Sequence, residues 1–376
     1  MLFQPTHISF GDTTSQLSSM VSSNLLCIVS SSVNNQTGIG DEICSNAKKK
    51  GASVRLIKRS GDEPTSEEVD KLVADTPAQI DTIIGVGGGS VLDIAKFVAM
   101  LKVSGGRCVE YEFAGKKIIG SLPTYLIPTT SGSGSEVTPY SVIQNSTTKR
   151  KFTISDPAMF PERALVDPSL TLSLPLSTTI ASGLDAFIHC LESFLNTSNN
   201  KIVKPLALEG MRISVANLSK ISSDPHNLEI RKKLSLASVL GGICIANSRT
   251  GLIHTLSVAL SGKSSQAHGI LNARILPHVL RKNSLHYNGA LVRIAEAVMG
   301  RTVENDSVAG ENLIEWVNAI FKPLNYRFND AQVIRNAISN LVDRVKQDSQ
   351  LPQINHGPIN EDILNSLFME IAADAE

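Results

Sequence analysis

The 376-residue sequence predicts an N-terminal α/β domain built on a parallel sheet, followed by an all-helical C-terminal domain. Two observations carry that reading. Residues 1–172 alternate short apolar runs with stretches of helical period, the pattern of a parallel sheet covered on both faces. From residue 173 to residue 376 the periodicity is almost purely helical. At typical domain sizes of about 100–200 residues, the length also favours two domains. The boundary falls within Pro168–Pro175, with no internal repeat and no low-complexity linker.

In chain order, Leu25–Val29 reads as a strand, Gly40–Gly51 as a helix and Val54–Ile57 as a strand. Ser66–Ala74 reads as a helix, Ile80–Val86 as a strand, Ser90–Leu101 as a helix and Tyr125–Pro128 as a strand. In the second half, Thr179–Leu195, Leu228–Ala246, Ala290–Met299, Gly310–Ile320 and Ala331–Val345 carry helical spacing. The lone Trp316 lies in one of these patterns and is expected in the core.

Two loops of the first domain have ligand-binding composition. In IDTIIGVGGGSVLDIAK (80–96) an apolar strand runs into Gly85, Gly87, Gly88 and Gly89, and a helix follows. Ser90 is a candidate N-cap, with Asp93 three residues on as its capping-box partner. Bare backbone lets a pyrophosphate approach, and the free N–H groups of a helix start bind its charge. The order is not GxGxxG, and glycine-rich turns after strands are common without a ligand. The second loop, PTTSGSGSEVT (128–138), sets Thr129, Thr130, Ser131, Ser133 and Ser135 around two glycines. Small hydroxyls suit ribose and phosphate oxygens; the alternative is a flexible serine-glycine loop. Lys151, in KFTI, is either near a cofactor ribose or simply exposed.

The helix TIASGLDAFIHCLESFL (179–195) holds Asp185 and His189 four residues apart, on one face. They could share a metal ion; a buried Asp–His pair or a polar stripe is the plainer alternative. His254 and His268 are fourteen residues apart, about 21 Å along one unbroken helix, too far to meet. The run Ser261-Gly262-Lys263-Ser264-Ser265 breaks the pattern between them. A helix, a reversal and a new helix start would bring both rings to Asp185 and His189. Carboxylate plus imidazole suits Fe(II), Zn(II), Mn(II) or Ni(II).

Composition excludes other classes. The chain has 35 basic and 35 acidic residues, and its one basic run, Lys48–Lys50, reads as a solvated helix end. Neither feature favours a nucleic-acid partner. Five scattered cysteines without CxxC read as free thiols of a cytoplasmic protein. No apolar run approaches a membrane span, and MLFQPTHISFGD does not read as a signal peptide.

Taken together, GGGSVLDIAK, PTTSGSGSEVT, KFTISDP, VDPSLTLSLP, the Asp185–His189 helix and His254…His268-Gly269 resemble the iron-containing (group III) alcohol dehydrogenases. The likeness runs from about Phe10 to NEDILNSLF near the C-terminus. It implies an NAD(P)-binding α/β domain, a helical metal-binding domain (the dehydroquinate synthase-like fold), sites facing the cleft between them, and a homodimer. By position, Asp185, His189, His254 and His268 match the metal ligands, with iron preferred and zinc or nickel as alternatives. Gly87, Gly88, Gly89 and Ser90 match the pyrophosphate loop. Thr129, Thr130 and Ser133 match the second nucleotide loop, and Lys151 the ribose-side lysine.

The sequence departs from the family in two places. A second histidine, one turn after the first on the later ligand helix and associated with proton relay, is replaced by Val258. The Asp of NAD-preferring members corresponds to Ser31, so NADP is not selected against. The expected chemistry is hydride transfer between nicotinamide and an alcohol or aldehyde polarised by the metal. Arg249 and Lys263 could meet an anionic group or form structural salt bridges. This variant resembles the branch containing 3-deoxy-manno-octulosonate 8-oxidase, which implies an anionic sugar substrate. Dehydroquinate synthase-like or glycerol dehydrogenase-like chemistry and a catalytically inactive nucleotide- or metal-binding protein are the rivals.

Overall fold

The computed structural model describes the chain except residues 18–22, 62, 198–199, 265, 325, 327 and 375–376. Ser265, part of the anticipated reversal, therefore lies outside the described residues. The chain divides into two compact units. One comprises Phe3–Leu174 with His226–Ser235; the other comprises Met1–Leu2, Pro175–Pro225 and Leu236–Glu376.

The α/β unit contains strands β1 (His7–Phe10), β2 (Asn24–Ser30), β3 (Ser53–Arg59), β4 (Thr82–Gly87), β5 (Thr124–Pro128), β6 (Tyr140–Gln144), β7 (Lys151–Ser155) and β8 (Arg163–Val166). Six form one sheet in the order β1-β8-β5-β4-β2-β3, and every adjacent pair is parallel. Its helices are α1 (Thr13–Gln16), α2 (Ser31–Thr37), α3 (Ile39–Lys49), α4 (Ser66–Asp75) and α5 (Gly89–Ser104). The period-2 rule shows in β2. Leu26 and Ile28 enter one core with α5, while Leu25, Cys27 and Val29 enter the core on the opposite face with α3. Strand order reverses between β2 and β4, so their C-terminal ends open a crevice of the kind where α/β sheets bind ligands.

Several elements differ from the sequence reading. The strand–helix segment after β2 holds an additional helix, α2, ended by Gly38 at φ 69°. The antiparallel hairpin β6–β7 and the outer strands β1 and β8 were not anticipated. Ser90 is not the N-cap of α5: Gly88 holds that position with extended backbone, and the helix starts at Gly89. Asp93 does not close a capping box either. Its carboxylate accepts from Ser135 Oγ at 2.6 Å and Val142 N at 3.0 Å, tying α5 to the loop and hairpin beyond it.

The helical unit contains α6 (Leu176–Leu195), α7 (Val203–Ile221), α8 (Leu228–Ser248, whose first turns pack in the α/β unit), α9 (Leu252–Leu260), α10 (His268–Asn283), α11 (Ala290–Met299), α12 (Asp306–Phe321), α13 (Ala331–Arg335), α14 (Ile338–Lys346), α15 (Leu351–Ile354) and α16 (Glu361–Ala373). Helix α6 is buried almost all round from Thr179 to Leu195, the mark of a central helix. The pattern over Ala331–Val345 is two helices rather than one. At Asn336–Ala337 the bond from Ala337 N to Ile334 O shortens the repeat. Trp316 is half-buried, tilted against Phe187 at 4.7 Å and bonded through Nε1 to Ser219, so it lines the core rather than filling it. No single helix among the described residues is long and apolar enough to cross a membrane.

Candidate metal centre and nucleotide loops

Three segments of the helical unit build the centre. Helix α6 supplies Asp185 and His189 from one face. Helix α9 supplies His254 from its first turn, and α10 begins at His268. Between α9 and α10 the chain reverses through Gly262 at φ 82° and a Ser261–Ser264 bridge. Arg344 holds the end of α9 by donating to Ala259 O at 2.9 Å. The start of α10 lies so close to α6 that a side chain on Gly269 would collide with the Ala181 carbonyl. The bare backbone at Gly269 thus brings His268 toward Asp185.

Donor atoms of Asp185, His189 and His254 lie within 4.8 Å of one another, and all three residues are buried. The His189 and His254 rings stack with centroids 4.5 Å apart and planes 14° from parallel. His254 Nε2 is 3.4 Å from Asp185 Oδ1. His268 stands at the rim: Nε2 is 3.9 Å from Asp185 Oδ1 and its side chain is 36 % exposed. The structure therefore gathers three of the four expected ligands tightly and places the fourth at the open side.

Burial alone would raise the Asp185 pKa. The positive His189, a hydrogen bond from His254 and the His268 charge outweigh it and hold the carboxyl well below its usual range. Burial opposes charge on His254, but Glu192 and Asp185 overcome it and lift the imidazole to about 9. The raised His254 imidazole thus faces two buried carboxylates, Asp185 and Glu192. A divalent cation supplies the same positive charge through the same donors, so the residue set fits a metal ion.

Sequence reasoning missed two members of the centre. Glu192 accepts from His254 Nδ1 at 2.6 Å, Gly251 N at 2.9 Å and Ile253 N at 2.6 Å. It follows His189 by three residues on the face already carrying Asp185, so the i, i+4, i+7 spacing of polar residues in an apolar helix was its signal. Asn272 Nδ2 lies 2.8 Å from Asp185 Oδ1 and 3.0 Å from His254 Nε2. It is four residues after His268 and had the same kind of signal. Val258 is half-buried on α9, and the nearby Thr255 hydroxyl donates to Gly251 O at 2.9 Å. Arg249 bonds Gln350 and pairs with Asp348 at 3.6 Å, so its salt bridge joins segments of the fold. Lys263 is exposed.

In the α/β unit, the C-terminal ends of β2, β4 and β5 carry Ser31, Gly87–Ser90 and Thr129–Ser133 respectively. Thr129 N donates to Gly87 O at 2.9 Å. A side chain on Gly89 would press within 2.9 Å of Ser133 Oγ, so the two loops pack directly on each other. Thr130 faces Gly88 in the same way. Lys96, fully buried in α5, fastens the second loop from beneath by donating to Ser135 O at 3.0 Å, Thr138 O at 3.3 Å and Tyr140 O. Ser31 is bonded instead to Ser60 Oγ at 2.9 Å, beyond the end of β3. Lys151 pairs with Glu63 at 2.8 Å, and its side chain is 12 % exposed.

Residues 5–168 match the family model described as iron-containing alcohol dehydrogenase, and residues 179–371 match that of the Fe-containing alcohol dehydrogenase family, C-terminal. The chain belongs to the iron-containing alcohol dehydrogenase family. It is 29 % identical to the NAD-dependent methanol dehydrogenase of Bacillus methanolicus, over 75 % of this chain and 74 % of that protein. It is 31 % identical to the 1,3-propanediol dehydrogenase of Klebsiella pneumoniae, over 71 % and 69 %. It spans less than two thirds of the length of several other curated relatives. A crystal structure of an iron-containing alcohol dehydrogenase from Thermotoga maritima superposes with a TM-score of 0.84 at 25 % identity, covering 99 % of both chains. The parallel-sheet unit and the helical unit described above are the family fold.

Proposed function

We propose that this member of the iron-containing alcohol dehydrogenase family interconverts an alcohol and an aldehyde by metal-dependent, NAD(P)-linked hydride transfer. The buried Asp185–His189–His254 cluster, with His268 at its open side, carries the reading. A bound ion would supply Lewis-acid polarisation of a substrate oxygen. Asp185 would offset part of its charge, and the imidazoles of His189, His254 and His268 would complete the donor set. Gly87–Ser90 and the start of α5 would hold the pyrophosphate, with Thr129, Thr130 and Ser133 on the adjoining loop. Lys151 is assigned to the ribose side, and its pairing with Glu63 makes that the weakest member of the set.

Ser31 offers no carboxylate to a ribose 2′-OH, so NADP is accepted beside NAD. The relatives named for methanol and 1,3-propanediol support a short primary alcohol. An anionic sugar remains the finer alternative, with less support because Arg249 is engaged by Asp348 and Gln350. A homodimer is the assembly expected of the family. The five free, buried thiols support a reducing, cytoplasmic setting.

The test is a panel of short alcohols, aldehydes and sugar acids with NAD(H) and NADP(H), followed at the reduced-nicotinamide absorbance band with Fe(II) or Zn(II). Metal-dependent turnover of at least one alcohol–aldehyde pair is expected. Consumption of substrate without net change in reduced nicotinamide would instead indicate synthase-type chemistry.

A further inference from the structure

The three hydrogen bonds to Glu192 do more than fill its lone pairs. Its carboxylate holds the first turn of α9 by accepting from Ile253 N at Oε1 and from Gly251 N at Oε2, and the same Oε2 accepts from His254 Nδ1 at 2.6 Å. Helix starts leave N–H groups without intrahelical partners, and an anionic acceptor is well placed there. A carboxylate can only accept, so the shared proton belongs to Nδ1. His254 Nε2 then faces Asp185 and Asn272. The contrast with His268 is informative. Its Nδ1 lies 3.1 Å from Ser257 Oγ, and a hydroxyl can donate or accept, so either tautomer is satisfied there.

We infer that Glu192 is a positioning residue: it fixes the tautomer and orientation of the His254 ring and couples that ring to the seating of α9. The inference rests on the metal-site reading given above. A carboxylate behind a ligating histidine typically changes metal affinity by about 10–100-fold.

The experiment is a double-mutant cycle on the full-length protein, read as Zn(II) affinity by chelator competition. The variants are Glu192→Gln, His254→Ala and the double substitution. Glutamine cannot reproduce the arrangement. If its carbonyl serves Ile253 N, its amide donors face His254 Nδ1; if it is turned about, the Ile253 bond is lost. Glu192→Gln is therefore expected to weaken Zn(II) binding by about 10–100-fold in the native background and to add almost nothing in the His254→Ala background. Equal losses in both backgrounds, or no loss in the native one, would overturn the role of Glu192. Unchanged Zn(II) affinity in His254→Ala would overturn the metal-site reading itself. If Glu192→Gln does not fold, Glu192→Asp enters the same cycle. It retains the charge but is one methylene shorter, and the same non-additive loss is expected.

Discussion

Gly269 shows how much of the centre depends on one missing side chain. The Cβ of an alanine there would run into the Ala181 carbonyl, which is main chain inside a buried helix and cannot rotate away. The start of α10 would have to move outward, taking His268 with it. Overpacking of this kind costs about 1–3 kcal/mol. Gly269→Ala is expected to lower the free energy of urea unfolding by that amount, with a lower midpoint, and to weaken Zn(II) binding together with it. An unchanged midpoint with unchanged binding would show that α10 does not need this approach. At the same scale, His189, His254 and Asp185 were legible because charged and imidazole groups are out of place in an apolar helix or at a helix start. Glu192 escaped notice because acidic residues are ordinary near the ends of helices, and its partners lie about sixty residues away.

At the scale of elements, α5 and the loop after β5 act as one piece. Lys96 and Asp93 reach from α5 into residues 135–142, and Glu136 is buried within the same loop. Burial lifts the Glu136 pKa to about 7 against an ordinary 4.5, although its own backbone N–H and the charge of Lys96 pull the other way. A folded pKa above the unfolded one means the native state holds the proton more tightly. The resulting stabilisation is fully present below about pH 4.5 and is lost as pH rises through about 7. At roughly 1.4 kcal/mol per unit, the loss is of order 3 kcal/mol. Urea unfolding at pH 5 and pH 8 should therefore show the native protein losing more stability than Glu136→Gln, by roughly 2.5 kcal/mol between those limits. Identical slopes for the two proteins would contradict a buried, protonating Glu136. The strands β2, β4 and β5 were legible as apolar runs, and β3 through Val54, Leu56 and Ile57, which flank Arg55. The hairpin β6–β7 was not, although Lys151–Ser155 alternates polar and apolar residues, because each strand is only five residues long and the hairpin's position is set by Asp93 and Lys96 on a distant helix. The start of α5 was read one or two residues late for a related reason. Ser90 is the better capping residue by type, but the extended backbone at Gly88 decided the position.

Across the whole molecule, the ordered set of motifs carried more information than any one of them. The glycine loop lacks the usual dinucleotide fingerprint, and a lone Asp–His pair is ambiguous. Each becomes specific through what the fold sets beside it: the threonine-serine loop against Gly88 and Gly89, and His254 against His189. The pairing of Lys151 with Glu63 and the engagement of Arg249 with Asp348 were beyond sequence reading, since nothing local marks either partner. On the proposed function, Asp185, His189, His254 and His268 hold the ion on which alcohol–aldehyde turnover depends. The most direct test is to strip the full-length protein with a chelator, add back Fe(II) anaerobically, and follow reduced nicotinamide with the best substrate of the panel. The native protein should lose turnover on stripping and regain it near one ion per chain, while His189→Ala should regain almost none. Full turnover by the stripped protein, or equal recovery by His189→Ala, would contradict the claim.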